Sequence, residues 1–259
     1  MANKKPGFTP SKAAESAFAR QLRKVARQAS HIVELHVDGA RIWAEAEMTR
    51  QLKAYSELIG PWAAKQSAKM LEAVSKKNRK EAKTAMTKNA KNLARLLRMN
   101  VAEAETGRVA AGLMDEQVFL IKSIPLRAGL RAQALAREAV YSGARAGRVA
   151  EIIQELDRTG EVSESDAMRI ARTEVARSNA AITQTRAQAV GAHWYIWRTT
   201  MDGAERDSHR EMNGEHVRYD RPPTLSDDTT GHAGTFVNCR CWQDPQFDDD
   251  EFNNPNFNG

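Results

Sequence analysis

Apolar residues recur at three- and four-residue steps along most of the chain, the spacing of one face of an α-helix. Phe18, Leu22, Val25 and Ala29 form the first stripe, with Ser11 as its N-cap. Ile42, Ala46, Thr49 and Leu52 continue it, and Gly39 is the expected interruption. Gly60-Pro61 predicts a break, because glycine ends helices and proline fits a first turn. A second helix is predicted from Pro61 to about Thr106, with sparse apolar positions at Met70, Leu71, Val74, Met86, Leu93, Leu96 and Leu97. Gly107, Gly112 and the short apolar run 115–124 ahead of Pro125 predict a boundary between about Gly107 and Pro125. Residues 126–156 read as helical again, and a helix from Asp166 to Ala189 should close at Gly191.

The pattern then changes. His193 to Thr200 alternates and is rich in aromatic and β-branched residues, which predicts a strand. Trp194 and Ile196 fall on one face, Tyr195, Trp197 and Thr199 on the other. A turn at Asp202-Gly203 should lead into a short helix from Glu205 to Met212, ended by Asn213-Gly214. Glu215–Tyr219 predicts a second strand, 221–234 a long irregular loop, and Thr235–Cys241 a last extended segment. The fold class is mostly α with a small C-terminal α+β domain: long N-terminal helices, then a helix–strand–helix–strand module. The expected organisation is a flexible tail at 1–10, a basic helical region at 11–114, a domain at 115–245 and an acidic, Asn-rich tail at 246–259.

Charge sharpens the picture of the front half. The chain carries 39 Lys and Arg against 33 Asp and Glu, but its first hundred residues hold 21 of the former and 8 of the latter. That asymmetry points to an anionic partner. Lys76, Lys77, Arg79, Lys80, Lys83, Lys88, Lys91 and Arg95 crowd the second helix and are the candidate DNA contacts, each neutralised phosphate releasing counterions. No groove-reading motif accompanies them, so such binding would be independent of sequence. No apolar run approaches a membrane span, and no secretory leader is expected, which assigns synthesis to the cytoplasm.

The chemistry-bearing residues gather late. Both cysteines lie in Cys239-Arg240-Cys241, and His209, His216 and His232 are near in sequence. His209, Cys239 and Cys241 could hold zinc, which takes thiolate and imidazole ligands tetrahedrally. The same three also fit two small buried thiols beside a packed histidine. Asp202, Arg206 and His209 read either as parts of a general-base site or as a structural network. The chain has no phosphate-cradling glycine loop, His-Glu-x-x-His or nucleophile elbow, so no enzyme activity is expected.

Ile170-Ala171-Arg172-Thr173-Glu174, then Trp197 with Asp202, Arg206 and His209, then Asn213-Gly214, then Asn238-Cys239-Arg240-Cys241, resemble in order and spacing the phage Mu F-like minor head protein family over about residues 115–245. The resemblance gives Arg172, Glu174, Trp197, Asp202, Arg206, His209, Asn238, Cys239 and Cys241 as the structural motif. It implies a minor capsid protein of a tailed phage, located in the virion. Its implied partners are the portal protein, other capsid proteins and packaged double-stranded DNA, during head assembly or genome ejection. Two rival readings stand beside it: a metal-dependent nuclease or hydrolase centred on His209, Cys239 and Cys241, and a sequence-independent DNA-binding protein.

Overall fold

The computed structural model describes residues 7–38, 41–86, 98–100, 103–141, 151–152, 154–156 and 158–247. Its helices are α1 (Lys12–Glu34), α2 (Glu45–Leu58), α3 (Gly60–Met86), α4 (Glu103–Tyr141), α5 (Thr159–Ala189) and the short α6 (Asp207–Glu211). Its strands are β1 (Val37–Asp38), β2 (Arg41–Ile42), β3 (Trp194–Thr199), β4 (His216–Arg218) and β5 (Cys241–Pro245). The fold is mostly α with a small three-stranded antiparallel sheet near its C-terminal end, as the pattern predicts. Among the described residues, no helix is long and apolar enough to cross a membrane.

The chain divides into two compact units, each assembled from separate stretches. One comprises residues 16–68 and 114–171. Its core is aliphatic: Ala29, Ile32 and Val33 from α1, Met48 and Leu52 from α2, and Ala128, Ala132 and Leu135 from α4, joined by Ile152 and Leu156. The predicted stripe is buried at Ala29 and Leu52, but Ala46 is exposed and Ile42 and Thr49 are half-buried, so α2 turns Met48, Leu52 and Ser56 inward instead. A two-stranded hairpin, β1 with β2, separates α1 from α2. Gly39 itself lies outside the described residues. The break at Gly60-Pro61 is tight: α2 ends at Leu58 and α3 starts at Gly60, with only Ile59 between.

The division between the two units, at 113/114, falls inside the stretch predicted between Gly107 and Pro125, but no break in secondary structure marks it: the chain runs on as one helix, α4, which contains Pro125. Proline inside a helix costs about 3 kcal/mol through its missing N–H and its clash with the preceding turn. Here Ile121, Ile124 and Ala128 are buried on either side of it, and that burial outweighs the penalty. Similarly α5 begins at Thr159, seven residues before Asp166, because Ser163 and Ala167 are already buried.

The second unit comprises 1–15, 69–113 and 172–259. Strand order is β4-β3-β5. Tyr195, Trp197 and Thr199 of β3 face inward, and Trp197 pairs with Gln243 and Thr199 with Cys241. The last strand is thus shifted from the expected Thr235–Cys241 to Cys241–Pro245, since Asn238 takes a left-handed φ of 57° that no strand accommodates. Past β5, Gln246 N–H donates to the Trp194 carbonyl (3.0 Å), and Phe247 packs on Phe8. Phe8 is itself buried, its carbonyl accepting from Asn179 Nδ2 (2.7 Å).

Candidate functional site

The site is built where α5, β3, α6 and the approach to β5 meet within this second unit. Helix α5 ends in a Schellman arrangement: Ala192 N–H donates to the Ala187 carbonyl (2.9 Å), and Gly191 N–H to that of Gln188 (3.0 Å). Gly191 takes φ 90°, which only glycine adopts without strain. The turn delivers the chain straight into β3. Further on, Gly234 (φ 87°) lets the loop lie against α5, where an added Cβ would stand 3.1 Å from Ala180 Cβ and 3.4 Å from the Ala176 carbonyl.

Helix α6 buries Ser208 and His209. The His209 ring stands edge-on to Trp197 (5.7 Å between centroids) and lies 4.9 Å from Phe236. Its Nδ1 is 3.5 Å from Cys239 Sγ and 3.4 Å from Cys241 Sγ. All three residues are buried, and their candidate ligand atoms lie within 4.8 Å of one another. His209 Nε2 is buried without a hydrogen-bond partner. The two sulfurs share one environment with opposite results. The Cys239 thiol is held far below its ordinary range, because Cys241 and then His209 donate to its thiolate. The Cys241 thiol is pushed up, first because its S–H donates to the Cys239 thiolate, then because it is buried and a second thiolate beside the first is disfavoured.

The two cysteines do not lie on one extended segment. Cys239 follows the left-handed Asn238 in a turn closed by Cys239 N–H to the Phe236 carbonyl (3.2 Å), and Cys241 N–H then points at Cys239 Sγ (3.4 Å). The turn is clamped from α5. Asn238 N–H donates to Thr173 Oγ1 (2.9 Å), and Arg172 Nη1 donates to Asn238 Oδ1 (3.0 Å). Arg172 is itself held by Glu15 (3.1 Å). From the other side Arg206 Nη2 donates to the Val237 carbonyl (3.0 Å).

The other motif residues serve the surrounding frame. Asp202 accepts from Ala204 N–H (3.2 Å) and pairs with Arg240 (2.6 Å), and the first of these contacts does most to hold its carboxyl below the usual range. It caps a turn, whereas the N-cap of α6 is Arg206, with no side-chain cap bond. The neighbouring Glu205 takes the N–H groups of Asp202 and Gly203 and pairs with Arg210. Glu174 is buried on α5, 3.4 Å from Arg177. His216 pairs across the sheet with Ile196, and His232 bonds Tyr195 (3.1 Å), so neither joins the cysteine cluster. Thr173 is the clamp that spacing alone did not single out. Its sequence signal was its place between Arg172 and Glu174, and its role depends on a contact 65 residues away.

Of the candidate DNA contacts, Lys76, Arg79, Lys80 and Lys83 are exposed on α3. Lys77 is engaged by the Thr9 carbonyl and Glu81, and Arg79 by Glu103. Lys88, Lys91 and Arg95 lie outside the described residues. Lys69, Lys76, Lys80 and Lys83 fall within about 60° of arc at 100° per residue, a continuous cationic stripe with Glu72 at its edge.

Residues 132–243 match the family model described as Phage Mu protein F like protein. The chain carries a Mu F-like segment. That segment spans the end of α4, all of α5 and the sheet as far as Gln243, and so contains Arg172, Thr173, His209, Asn238, Cys239 and Cys241. A similar protein, an uncharacterized protein of Haemophilus influenzae, is 36% identical over 134 residues, which are 52% of this chain and 28% of that protein. The chain thus matches little more than a quarter of that relative's length. No solved structure matches. The Mu F-like segment begins before the clamp and ends just past the second cysteine, and the lysine stripe on α3 lies outside it.

Proposed function

We propose that this chain is a minor head protein of a tailed phage, seated at the portal vertex and in contact with packaged DNA during head assembly or genome ejection. The observation that carries the reading is the Mu F-like match over residues 132–243, a family of phage head morphogenesis proteins. The lysine stripe of α3 supports the DNA contact: side chains with this charge and exposure release counterions from phosphate and need no base contact. The role is structural rather than enzymatic. Calibrated mass spectrometry of purified full and empty heads tests it. A few copies in both are expected, and absence from particles sinks the reading.

A second reading concerns His209, Cys239 and Cys241 as a zinc centre. A tetrahedral zinc with sulfur at about 2.3 Å and nitrogen at about 2.05 Å sets a nitrogen–sulfur edge of about 3.6 Å. The nitrogen–sulfur edges here are 3.5 and 3.4 Å, so both match the spacing the ion requires. Zinc bound there would tie α6 to the start of β5, leaving its fourth position to a ligand beyond these three. In this role it is a staple for the fold, and the nuclease or hydrolase alternative would need that fourth position open to substrate. Metal analysis of the purified chain, with and without Cys241→Ser, decides it. One equivalent of zinc lost in the variant supports the centre, and a metal-free wild type removes it.

A further inference from the structure

In the unit built from residues 16–68 and 114–171, α2 and α4 run antiparallel. Arg137 pairs with Glu45 (3.4 Å), Gln133 Nε2 donates to Thr49 Oγ1 (2.9 Å), and Lys122 pairs with Glu57 (2.7 Å). The inner side of this pair makes the aliphatic core, yet its outer side is also apolar. Phe119 is 71% exposed, Leu130 64% and Leu126 36%, at steps of seven and four that keep one helix face. Leu58 of α2, beside the Glu57–Lys122 pair, is 78% exposed. Between the two helices runs a groove of about 210 Å³ lined by Thr49, Leu52, Lys53, Leu126, Gly129 and Leu130, with Gln133 at its end. Gly129 lets Leu52 form its floor, since a Cβ there would lie 2.6 Å from Leu52 Cδ1.

We infer that this face is where two copies of the chain pair, α4 against α4, antiparallel about Leu126. The argument is self-complementarity. A two-fold axis at Leu126 relates positions equally far on either side of it. Phe119, seven residues before, then meets Gln133, seven after, beside the partner's groove, whose volume suits one aromatic ring. Asp115, eleven residues before, meets Arg137, eleven after. Both are exposed, so each acidic end of the stripe faces a basic end. An isologous pairing satisfies both matches twice. A face this apolar on a water-exposed helix pair marks an association surface.

The test uses the full chain. Sedimentation over a concentration series should show a monomer–dimer equilibrium, and Leu126→Lys should weaken it about 100-fold with unchanged circular dichroism. Should that variant misfold, the more exposed Leu130→Lys replaces it. Oxidised Leu126→Cys should give a covalent dimer, with wild type as the control for the native cysteines. Phe119→Cys should crosslink with Gln133→Cys but not with itself. A wild type that stays monomeric overturns the inference, even if another head protein binds the same face. So does a dimer that survives Leu126→Lys, or a Phe119→Cys that links to its own kind.

Discussion

The two units bury different kinds of group. In the helical unit the core is aliphatic, and three buried polar side chains beside it bond backbone carbonyls: Ser30 that of Ala26, His36 that of Ile32, Ser56 that of Lys122. In the unit holding the sheet, Glu174, Asn179, Thr183, Arg186, His209 and Gln243 are buried with Tyr195 and Trp197. Asn179 and Gln243 reach the backbone carbonyls of Phe8 and Ala233, and Thr183 and Arg186 belong to a side-chain network that joins segments far apart in sequence. Arg186 alone reaches the Ser75 carbonyl (3.0 Å), Asn78 Oδ1 (2.8 Å) and Glu103 (3.2 Å), while Asn78 donates to Thr183 (2.6 Å). Aliphatic packing tolerates repacking, whereas a polar network allows one arrangement and is costly to leave half-made. The unit that places the thiols is the one that specifies position.

The hardest test of this contrast is Arg186→Met. It keeps the bulk but strips the buried Asn78 oxygen of its donor and breaks the pairing with Glu103. A loss of about 4 kcal/mol is expected in urea unfolding, and a loss below about 1 kcal/mol would mean the network is not what holds this unit. Next in size, Thr173→Val removes one donor–acceptor pair of the Asn238 clamp and should cost about 1–2 kcal/mol. It should also raise the rate at which the buried thiols react with a chromogenic disulfide, and Thr173→Ser should restore both. In the helical unit, Leu52→Met should cost under about 1.5 kcal/mol, because volume and hydrophobicity are kept; a larger loss would erase the distinction between the cores. The smallest effect on stability belongs to the α3 stripe. Replacing Lys76, Lys80 and Lys83 by Gln should leave the melting temperature unchanged. If the stripe contacts DNA, the slope of log affinity against log salt should fall by about 3.

Much of the sheet unit was legible because its information is local. Alternation over 193–200 gave β3 its inward face, and Gly191 and Gly214 marked real chain reversals at φ 90° and 103°. The misreadings share one cause. Gly107, Gly112 and Pro125 are breakers by intrinsic preference, and Asp166 is a better cap than Thr159, yet burial of Ile121, Ile124, Ser163 and Ala167 decided the helices instead. The position of β5 followed from the backbone of Asn238, and that backbone is held by Thr173 and Arg172 on another element. The grouping of His209 with the cysteines could be guessed from residue type. The clamp that sets their geometry could not, since nothing in the spacing of residues 172–173 and 238 links them.

The cap at Gly191 is a question of handedness rather than of room. A Cβ built there in the ordinary configuration would meet nothing nearer than Arg98 Nη1 at 4.0 Å, so the φ of 90° is the whole objection to a side chain. That objection belongs to L-residues alone. In a semisynthetic chain, D-alanine at 191 would sit in its own favoured basin. It would also restrict the unfolded chain, so the mirror-image residue should make this protein more stable by about 1 kcal/mol, where L-alanine makes it less so.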